Sequence, residues 1–125
     1  MVRQGSTTMK NQTFQQRLCY ALAGLRAAWQ HEKSFRTQSF FAIAALLLLI
    51  ILQPTPVWWA LIGLMIVLVL AAELINTALE HLADHLHPEQ HPKIKLVKDC
   101  AAAAVLLLSL GALWLVTILI IDKFF

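Results

Sequence analysis

Three long apolar stretches dominate the sequence and limit the folds that the chain can adopt. They run from Ser39 to Leu52, from Val57 to Ile75 and from Cys100 to Ile121. The hydrocarbon core of a bilayer is about 30 Å thick, which takes roughly 20 helical residues to cross. The third stretch reaches that length without a charge. The first is short and needs Ser34 to Gln38 to reach across, so a buried core helix or a re-entrant segment is its alternative.

Composition favours the membrane interpretation. Of 125 residues, 59% are hydrophobic and 14% are charged, with a mean hydropathy of +0.69, whereas soluble domains usually carry about 25% charged residues. We therefore predict an all-α membrane protein with spans at about 37–53, 57–84 including an extension outside the bilayer, and 96–121. Residues 12–125 are expected to form one integral-membrane domain, and 1–11 a disordered N-terminal extension.

The segment before the first span is polar and basic, which is relevant to whether a signal peptide is cleaved from the chain. A cleavable signal peptide is not expected, because the apolar run begins only near Ser39 and no small-residue cleavage pattern precedes it. Met9 could serve as the start of the protein as well as Met1.

Basic residues indicate how the spans are oriented. They precede the first span as Arg3, Lys10, Arg17, Arg26, Lys33 and Arg36, and the third span as Lys93, Lys95 and Lys98. The turn at 53–56 has no charge. The positive-inside rule therefore places the N-terminus and the 85–95 loop in the cytoplasm and the C-terminus outside.

Residues 12–36 show a helical pattern with one apolar stripe. Its members are Phe14, Leu18, Leu22, Leu25 and Trp29. Spacing of three and four residues confines them to one face, so we predict an amphipathic surface helix lying in the membrane interface. The same spacing brings Glu32 and Arg36 onto the stripe. Glu32 is then either solvated beyond a bend in the helix or turned toward a site on the next helices.

A polar face interrupts the end of the second span. We call Glu73, Asn76, Glu80 and Asp84 the polar ridge, because helical geometry places them within about 80° of one another. Three carboxylates and an amide suit Mg²⁺, which also takes water and substrate phosphates as ligands. Asp84 and Glu80 could instead lie on a solvated helix end. Glu73 lies among apolar residues, where a carboxyl group is expected to be paired, metal-bound or protonated, and it could act as a general base.

Lys98 and Asp99 stand directly before the third span, at the depth of the polar ridge. A lysine there can bind phosphate as a point charge. The alternative is an anchor that follows the positive-inside rule, which explains the lysine but not the acid, because acids contribute little to that rule.

Histidines supply a rival site. His81 and His85 share a helical face, and His87 and His91 follow, so a transition-metal site is possible. A solvated helix face is the alternative.

Motifs of other enzyme classes are missing from the sequence. It contains no G-x-x-x-x-G-K-[ST] phosphate loop, no G-x-G-x-x-G, no zinc-protease motif and no serine elbow. The residues by themselves therefore predict only a site for a polyanion and a divalent cation.

Several segments in combination resemble one known family. They are Gly24-Leu25-Arg26-Ala27-Ala28-Trp29, Glu32 with Phe35-Arg36, Glu73-Leu74-Ile75-Asn76-Thr77-Ala78-Leu79-Glu80, Asp84, and Lys98-Asp99-Cys100-Ala101-Ala102-Ala103-Ala104-Val105-Leu106. The pattern E-x-x-N-x-x-x-E followed by K-D before a span is similar to that of the bacterial membrane-integral diacylglycerol kinases, a family that includes undecaprenol kinases.

The resemblance implies a trimeric helical bundle that transfers the γ-phosphoryl group of MgATP to a lipid hydroxyl, with no nucleic acid as partner. It implies catalytic roles for Glu73 as general base, for its neighbour Asn76, and for Lys98 and Asp99. The remaining roles that it implies are Mg²⁺ binding by Glu32 and Glu80, phosphate and nucleotide binding by Lys98 and Asp99, nucleotide contacts by Tyr20 and His91, and lipid contacts by Phe35 and Arg36.

Two departures from the family pattern leave the adenine and ribose contacts open, and the lipid substrate is open as well. Gln38 stands where similar diacylglycerol kinases often carry an acid, and Gln90 where tyrosine is common. Diacylglycerol is favoured over undecaprenol by the segment from Gly24 to Trp29.

Two other classes of function stay open. One is a membrane scaffold without catalysis, and the other is a small transporter using Glu73, which would need a second polar group deep in another span.

Overall fold

The computed structural model describes residues 11–125, and these form four helices. In chain order they are α1 (Phe14–His31), α2 (Lys33–Leu52), α3 (Pro56–Leu86) and α4 (Pro92–Phe124). The all-helical prediction is confirmed for this part of the chain. The predicted extension at 1–11 lies outside the described residues except for its last position.

Local sequence signals define the helix ends. Thr13 and Gln16 form a capping box at the start of α1, which satisfies two backbone N–H groups that have no partner within the helix. Pro56 and Pro92 occupy the first turns of α3 and α4, where the missing N–H of proline costs nothing. Gln53 ends α2 with a φ of 46°, the left-handed conformation that commonly terminates helices.

Among residues 11–125, three helices are long and apolar enough to cross a membrane, which is the predicted number: α2, α3 and α4, with 20, 31 and 33 residues. At 1.5 Å per residue α2 is about 30 Å long, while α3 and α4 are about 46–50 Å long. α2 begins earlier than predicted and includes Ser34. The end of α3 and the start of α4 are joined by the 87–91 loop, so both extend beyond a bilayer core at the same end.

The prediction of one continuous helix over 12–36 differs from the structure. Glu32 adopts an extended backbone conformation, with φ −112° and ψ 107°, and separates α1 from α2. Arg36 bridges the break, because its Nη1 donates hydrogen bonds to the carbonyls of Trp29 at 2.8 Å and Gln30 at 3.1 Å. These carbonyls lie in the last turn of α1, where helical partners run out.

The tightest packing lies at the end of the bundle away from this break. The core cluster consists of Leu49, Leu52, Ile62 and Leu119, contributed by α2, α3 and α4. Near the same end, the Trp58 indole N–H donates to Asp122 Oδ2 at 3.3 Å. The three helices are therefore joined closely at one end.

The apolar stripe of α1 stays exposed on the described chain. Its members, Phe14, Leu18, Leu22, Leu25 and Trp29, are between 42% and 79% exposed. Only Ala28 of α1 is buried. The helix is present where the sequence predicts one, and its placement in the membrane interface stays a prediction.

Truncation of a core leucine tests this packing. Leu49→Ala should lower the free energy of unfolding by about 2 kcal/mol, at the low end of the range for buried leucines, because membrane helices unfold into lipid rather than water. Unfolding in detergent by added SDS, followed by circular dichroism, measures the change. Leu47→Ala, on the same helix but 54% exposed, is the matched control. Equal losses in both variants would contradict the core cluster.

Candidate functional site

Glu73 is the only buried polar or charged residue among those that the structure describes, with 3% of its surface exposed. It shares a face of α3 with the buried residues Ile62 and Val69, because separations of four, seven and eleven residues return to the same side of a helix. The sequence therefore places a carboxylate where the packing pattern calls for an apolar side chain. Ser34 Oγ donates a hydrogen bond to Glu73 Oε2 at 3.0 Å.

Asn76 and Glu80 form the next part of the polar ridge. Asn76 Nδ2 donates to Glu80 Oε1 at 3.3 Å, whereas Asn76 Oδ1 is buried without a hydrogen-bond partner among the described residues. Buried acceptors nearly always have a partner. Mg²⁺ prefers oxygen ligands such as amide and carboxylate oxygens. Asn76 and Glu80 therefore fit a hard cation.

A site built from protein ligands alone is not found in residues 11–125. No group of three or more His, Cys, Asp or Glu side chains converges there as such a site requires. The predicted transition-metal alternative on the histidines therefore gains no support. One or two carboxylates are enough for Mg²⁺ when substrate phosphates and water complete its shell.

Glu32 is turned toward α3, and it also lies at a bend, so the structure combines both alternatives that its spacing left open. His81 Nε2 lies 3.1 Å from Glu32 Oε1. The Glu32 side chain is 22% exposed and that of His81 is 71% exposed. The contact brings Glu32 to the segment of α3 that carries Glu80.

Lys98 meets the outer end of the polar ridge. Its Nζ forms an ion pair with Asp84 Oδ1 across the α3–α4 hairpin. Asp99 points along its own helix instead, where Lys95 Nζ donates to Asp99 Oδ2 at 2.5 Å. The structure thus joins Lys98 to the ridge and gives Asp99 a partner outside it.

A polar pocket of about 620 Å³ adjoins this ion pair. Asp84 and Lys98 line it together with the 87–91 loop, which includes His91, and with the first turn of α4. The His91 ring caps α4, because its Nδ1 accepts a hydrogen bond from the Lys93 N–H at 3.1 Å. His91 therefore reaches the pocket beside Lys98, as a nucleotide contact would require.

An apolar groove of about 520 Å³ lies between α2, α3 and α4. Gln38 and Ser109 are its polar lining residues, and Gln38 Nε2 donates to Ser109 Oγ at 3.0 Å. Gln38 follows Ser34 by one helical turn, and Val69 of the lining precedes Glu73 by one turn. The groove therefore begins about one helical turn from the Ser34–Glu73 contact, on the side of the core cluster.

Other predicted site residues are not joined to the ridge. Tyr20 lies on α1, 47% exposed, about 18 Å along the helix axis from Glu32. Phe35 is buried, with 6% exposed. Arg36 is engaged with the last carbonyls of α1, which is a capping contact rather than a free guanidinium.

Two residues of the site were missed at the sequence level. Ser34 counted only toward the length of the first span, and His81 only as a metal ligand. Each contacts a residue far away in the sequence, at separations of 39 and 49 positions. A single sequence carries no periodicity over such distances, so only the fold identifies them.

Comparisons with known proteins point to one family. The profile described as prokaryotic diacylglycerol kinase matches residues 19–121. A protein named diacylglycerol kinase in Synechocystis sp. is 36% identical over 94 residues, which cover 74% of this chain and 54% of that protein, so the match spans about half its length. One of the same name in Haemophilus influenzae is 33% identical, covering 76% and 82%. A protein named undecaprenol kinase in Bacillus subtilis is 36% identical, covering 64% and 68%.

Charge exchange tests the contact between α3 and α4. Lys98→Asp should destabilise the protein because it sets two carboxylates together, and the exchange Asp84→Lys with Lys98→Asp should restore most of the loss. The coupling energy should be below about 1 kcal/mol, because the Lys98 and Asp84 side chains are 36% and 63% exposed.

A double-mutant cycle on the free energy of unfolding measures this coupling. The pair Lys95–Asp99, within α4 and with a more exposed lysine, is the matched control. Its coupling should be about 0.3–0.5 kcal/mol, as for helical pairs four residues apart. Additive effects at Lys98 and Asp84 would argue against the ion pair.

Proposed function

Because the chain belongs to the prokaryotic diacylglycerol kinase family, it is a lipid kinase, and we propose that it phosphorylates diacylglycerol to phosphatidic acid with ATP. The observation that carries the proposal is the buried Glu73 carboxylate at the head of an apolar groove. A lipid alcohol matches this arrangement, because it carries a polar hydroxyl at the end of a long apolar chain. Undecaprenol is the alternative substrate, favoured by the relative named undecaprenol kinase.

Glu73 acts as the general base in this proposal. The lipid hydroxyl oxygen attacks the γ-phosphorus, the bond from that phosphorus to the bridging oxygen breaks, and ADP leaves. The hydroxyl proton passes to the Glu73 carboxylate. Phosphoryl transfer depends mainly on positioning and charge neutralisation, and so no covalent intermediate on the protein is needed. The acyl chains occupy the apolar groove, with the lipid contacts of Phe35 and Arg36 near its upper end.

Mg²⁺ is the proposed cofactor. Glu32 and Glu80 would hold it, and Asn76 Oδ1, which has no hydrogen-bond partner in residues 11–125, lies beside Glu80 and would be a further oxygen ligand. When bound, the ion neutralises charge on the β- and γ-phosphates. Because Asn76 Nδ2 donates to Glu80, it also holds this carboxylate in one orientation.

The polar pocket is the proposed nucleotide site. Lys98 would exchange Asp84 for phosphate oxygens, and His91 would lie along the bound nucleotide. Asp99 would organise the pocket through Lys95. Tyr20, which does not reach the pocket on the described chain, would contact nucleotide only from a neighbouring copy or after α1 moves.

The enzyme is proposed to act at the cytoplasmic face of a bacterial inner membrane, as a homotrimer. The polar ridge and the polar pocket lie at the end of the bundle where both basic segments enter, and basic segments favour the cytoplasm. Exposed apolar side chains on α1 to α4 leave surface for lipid and for other copies of the chain.

Transfer of label from γ-labelled ATP tests the activity. The purified protein in mixed micelles, offered diacylglycerol and undecaprenol side by side, should label diacylglycerol. Glu73→Gln should lower kcat about 100-fold or more, which is the usual loss when a general base is removed. Folding should change little, because the amide keeps the size of the side chain and can accept from Ser34.

Asp122→Asn, at the opposite end of the bundle, is the control and should keep full activity. Label in undecaprenol alone would assign the alternative substrate. A folded protein that labels neither lipid would favour the scaffold.

The metal dependence gives a second test. Glu80→Gln and Glu32→Gln should each raise the Mg²⁺ concentration that gives half-maximal activity by roughly tenfold, because each removes one charged ligand from a shell completed by phosphate and water. Activity measured as a function of Mg²⁺ at fixed ATP gives this value. An unchanged Mg²⁺ requirement in both variants, with Asp122→Asn as reference, would remove Glu80 and Glu32 from the proposed metal site.

A further inference from the structure

Ser34 occupies a special position among the hydroxyl groups of α2. Thr37 and Ser39 donate to backbone carbonyls four residues earlier, at 3.1 Å and 2.8 Å. Ser34 lies in the first turn, where the carbonyl four residues back belongs to α1 and to a different helix axis. Its hydroxyl donates instead to Glu73 Oε2 on α3, at 3.0 Å.

The backbone around Ser34 is held from both sides. Glu32 contacts His81 on α3, and Arg36 donates to the carbonyls of Trp29 and Gln30 at the end of α1. Phe35, the next residue, is buried. The Ser34 hydroxyl is therefore presented to Glu73 from a fixed segment and not from a loose loop.

Glu73 has only Ser34 as a hydrogen-bond partner among the described residues. A glutamate side chain has three rotatable bonds, and a buried carboxylate without donors is unfavourable. A hydrogen bond to a carboxylate is stronger than one between neutral groups and fixes its direction. The Ser34 contact thus limits which way the carboxylate oxygens face.

We propose that Ser34 is a positioning residue for phosphoryl transfer: its hydroxyl holds Glu73 Oε2 so that the other carboxylate oxygen, Oε1, faces the lipid hydroxyl. This inference rests on the proposed function, since it assigns Ser34 through the base role of Glu73. Ser34 touches neither nucleotide nor metal in this assignment. Its loss should affect the chemical step and leave binding intact.

The test compares Ser34→Ala, Ser34→Thr and the matched control Ser39→Ala, which removes a hydroxyl from the same helix without touching Glu73. Lipid phosphorylation is measured in mixed micelles with saturation curves for ATP and for the lipid. Ser34→Ala should lower kcat about tenfold, because misplacing a reacting group by a fraction of an ångström costs this order. Both KM values should change less than twofold, Ser34→Thr should restore kcat to within about threefold, and Ser39→Ala should match the wild type.

The same substitution in a Glu73→Gln background separates positioning from packing. There, adding Ser34→Ala should lower the residual rate by less than twofold, because the base on which Ser34 acts has been removed. A tenfold loss in that background, a loss confined to KM, or failure of threonine to restore kcat would overturn the proposal.

Failure of the inference and failure of the proposed function give different results. A wild-type protein that labels no lipid overturns the function and the inference together. An active wild type with an unchanged kcat in Ser34→Ala overturns the inference alone.

Discussion

A carboxylate on the packing face of α3 is the constraint on which the rest of the structure depends. Glu73 lies on the same side of the helix as Ile62 and Val69 and is as buried as they are. Burying a charged group is costly unless other groups compensate for lost water. Ser34 meets part of this need, because its hydroxyl donates directly to Glu73 Oε2. An all-apolar α3 would pack without this contact but would have no group for chemistry at this depth.

The bend at Glu32 makes that compensation possible. A straight helix over 12–36 would carry Ser34 and Glu32 along one axis, past α3. Because the chain turns at Glu32, the Ser34 side chain reaches Glu73 of α3 and the Glu32 side chain reaches His81 of α3. Glu73 and His81 are separated by about two helical turns. The capping of α1 by Arg36 compensates the carbonyls that the bend exposes. The family resemblance assigns Arg36 to lipid, and the structure adds a capping contact that fixes the bend.

Packing differs between the two ends of the bundle. The core cluster joins α2, α3 and α4 at one end of the bundle, and the apolar groove runs from this cluster, where Ile62 lines it, toward the Ser34–Glu73 contact. α3 and α4 exceed the thickness of a bilayer core by several turns, and their ends next to the 87–91 loop carry Asp84 and Lys98. The proposed site for a lipid hydroxyl and a nucleotide would have to combine an apolar and a polar environment, and helices of unequal length would provide both.

The sequence by itself determined the three spans and the order of residues along the polar ridge. Both follow from regularities within one helix, namely a run of about 20 apolar residues and repeats of three and four, so they can be read locally. The family resemblance added roles for Glu73, Glu80 and Lys98. It assigned Tyr20 and Asp99 as well, although the described chain joins neither to the ridge.

Only the tertiary structure decided where α1 ends and which side chains meet Glu73 and Glu32. The bend at Glu32 depends on contacts with α3 and on the Arg36 cap, and the Ser34 and His81 contacts join residues 39 and 49 positions apart. Such contacts depend on how rigid helices pack against one another, and packing sums many small interactions that leave no periodic signal in a single sequence.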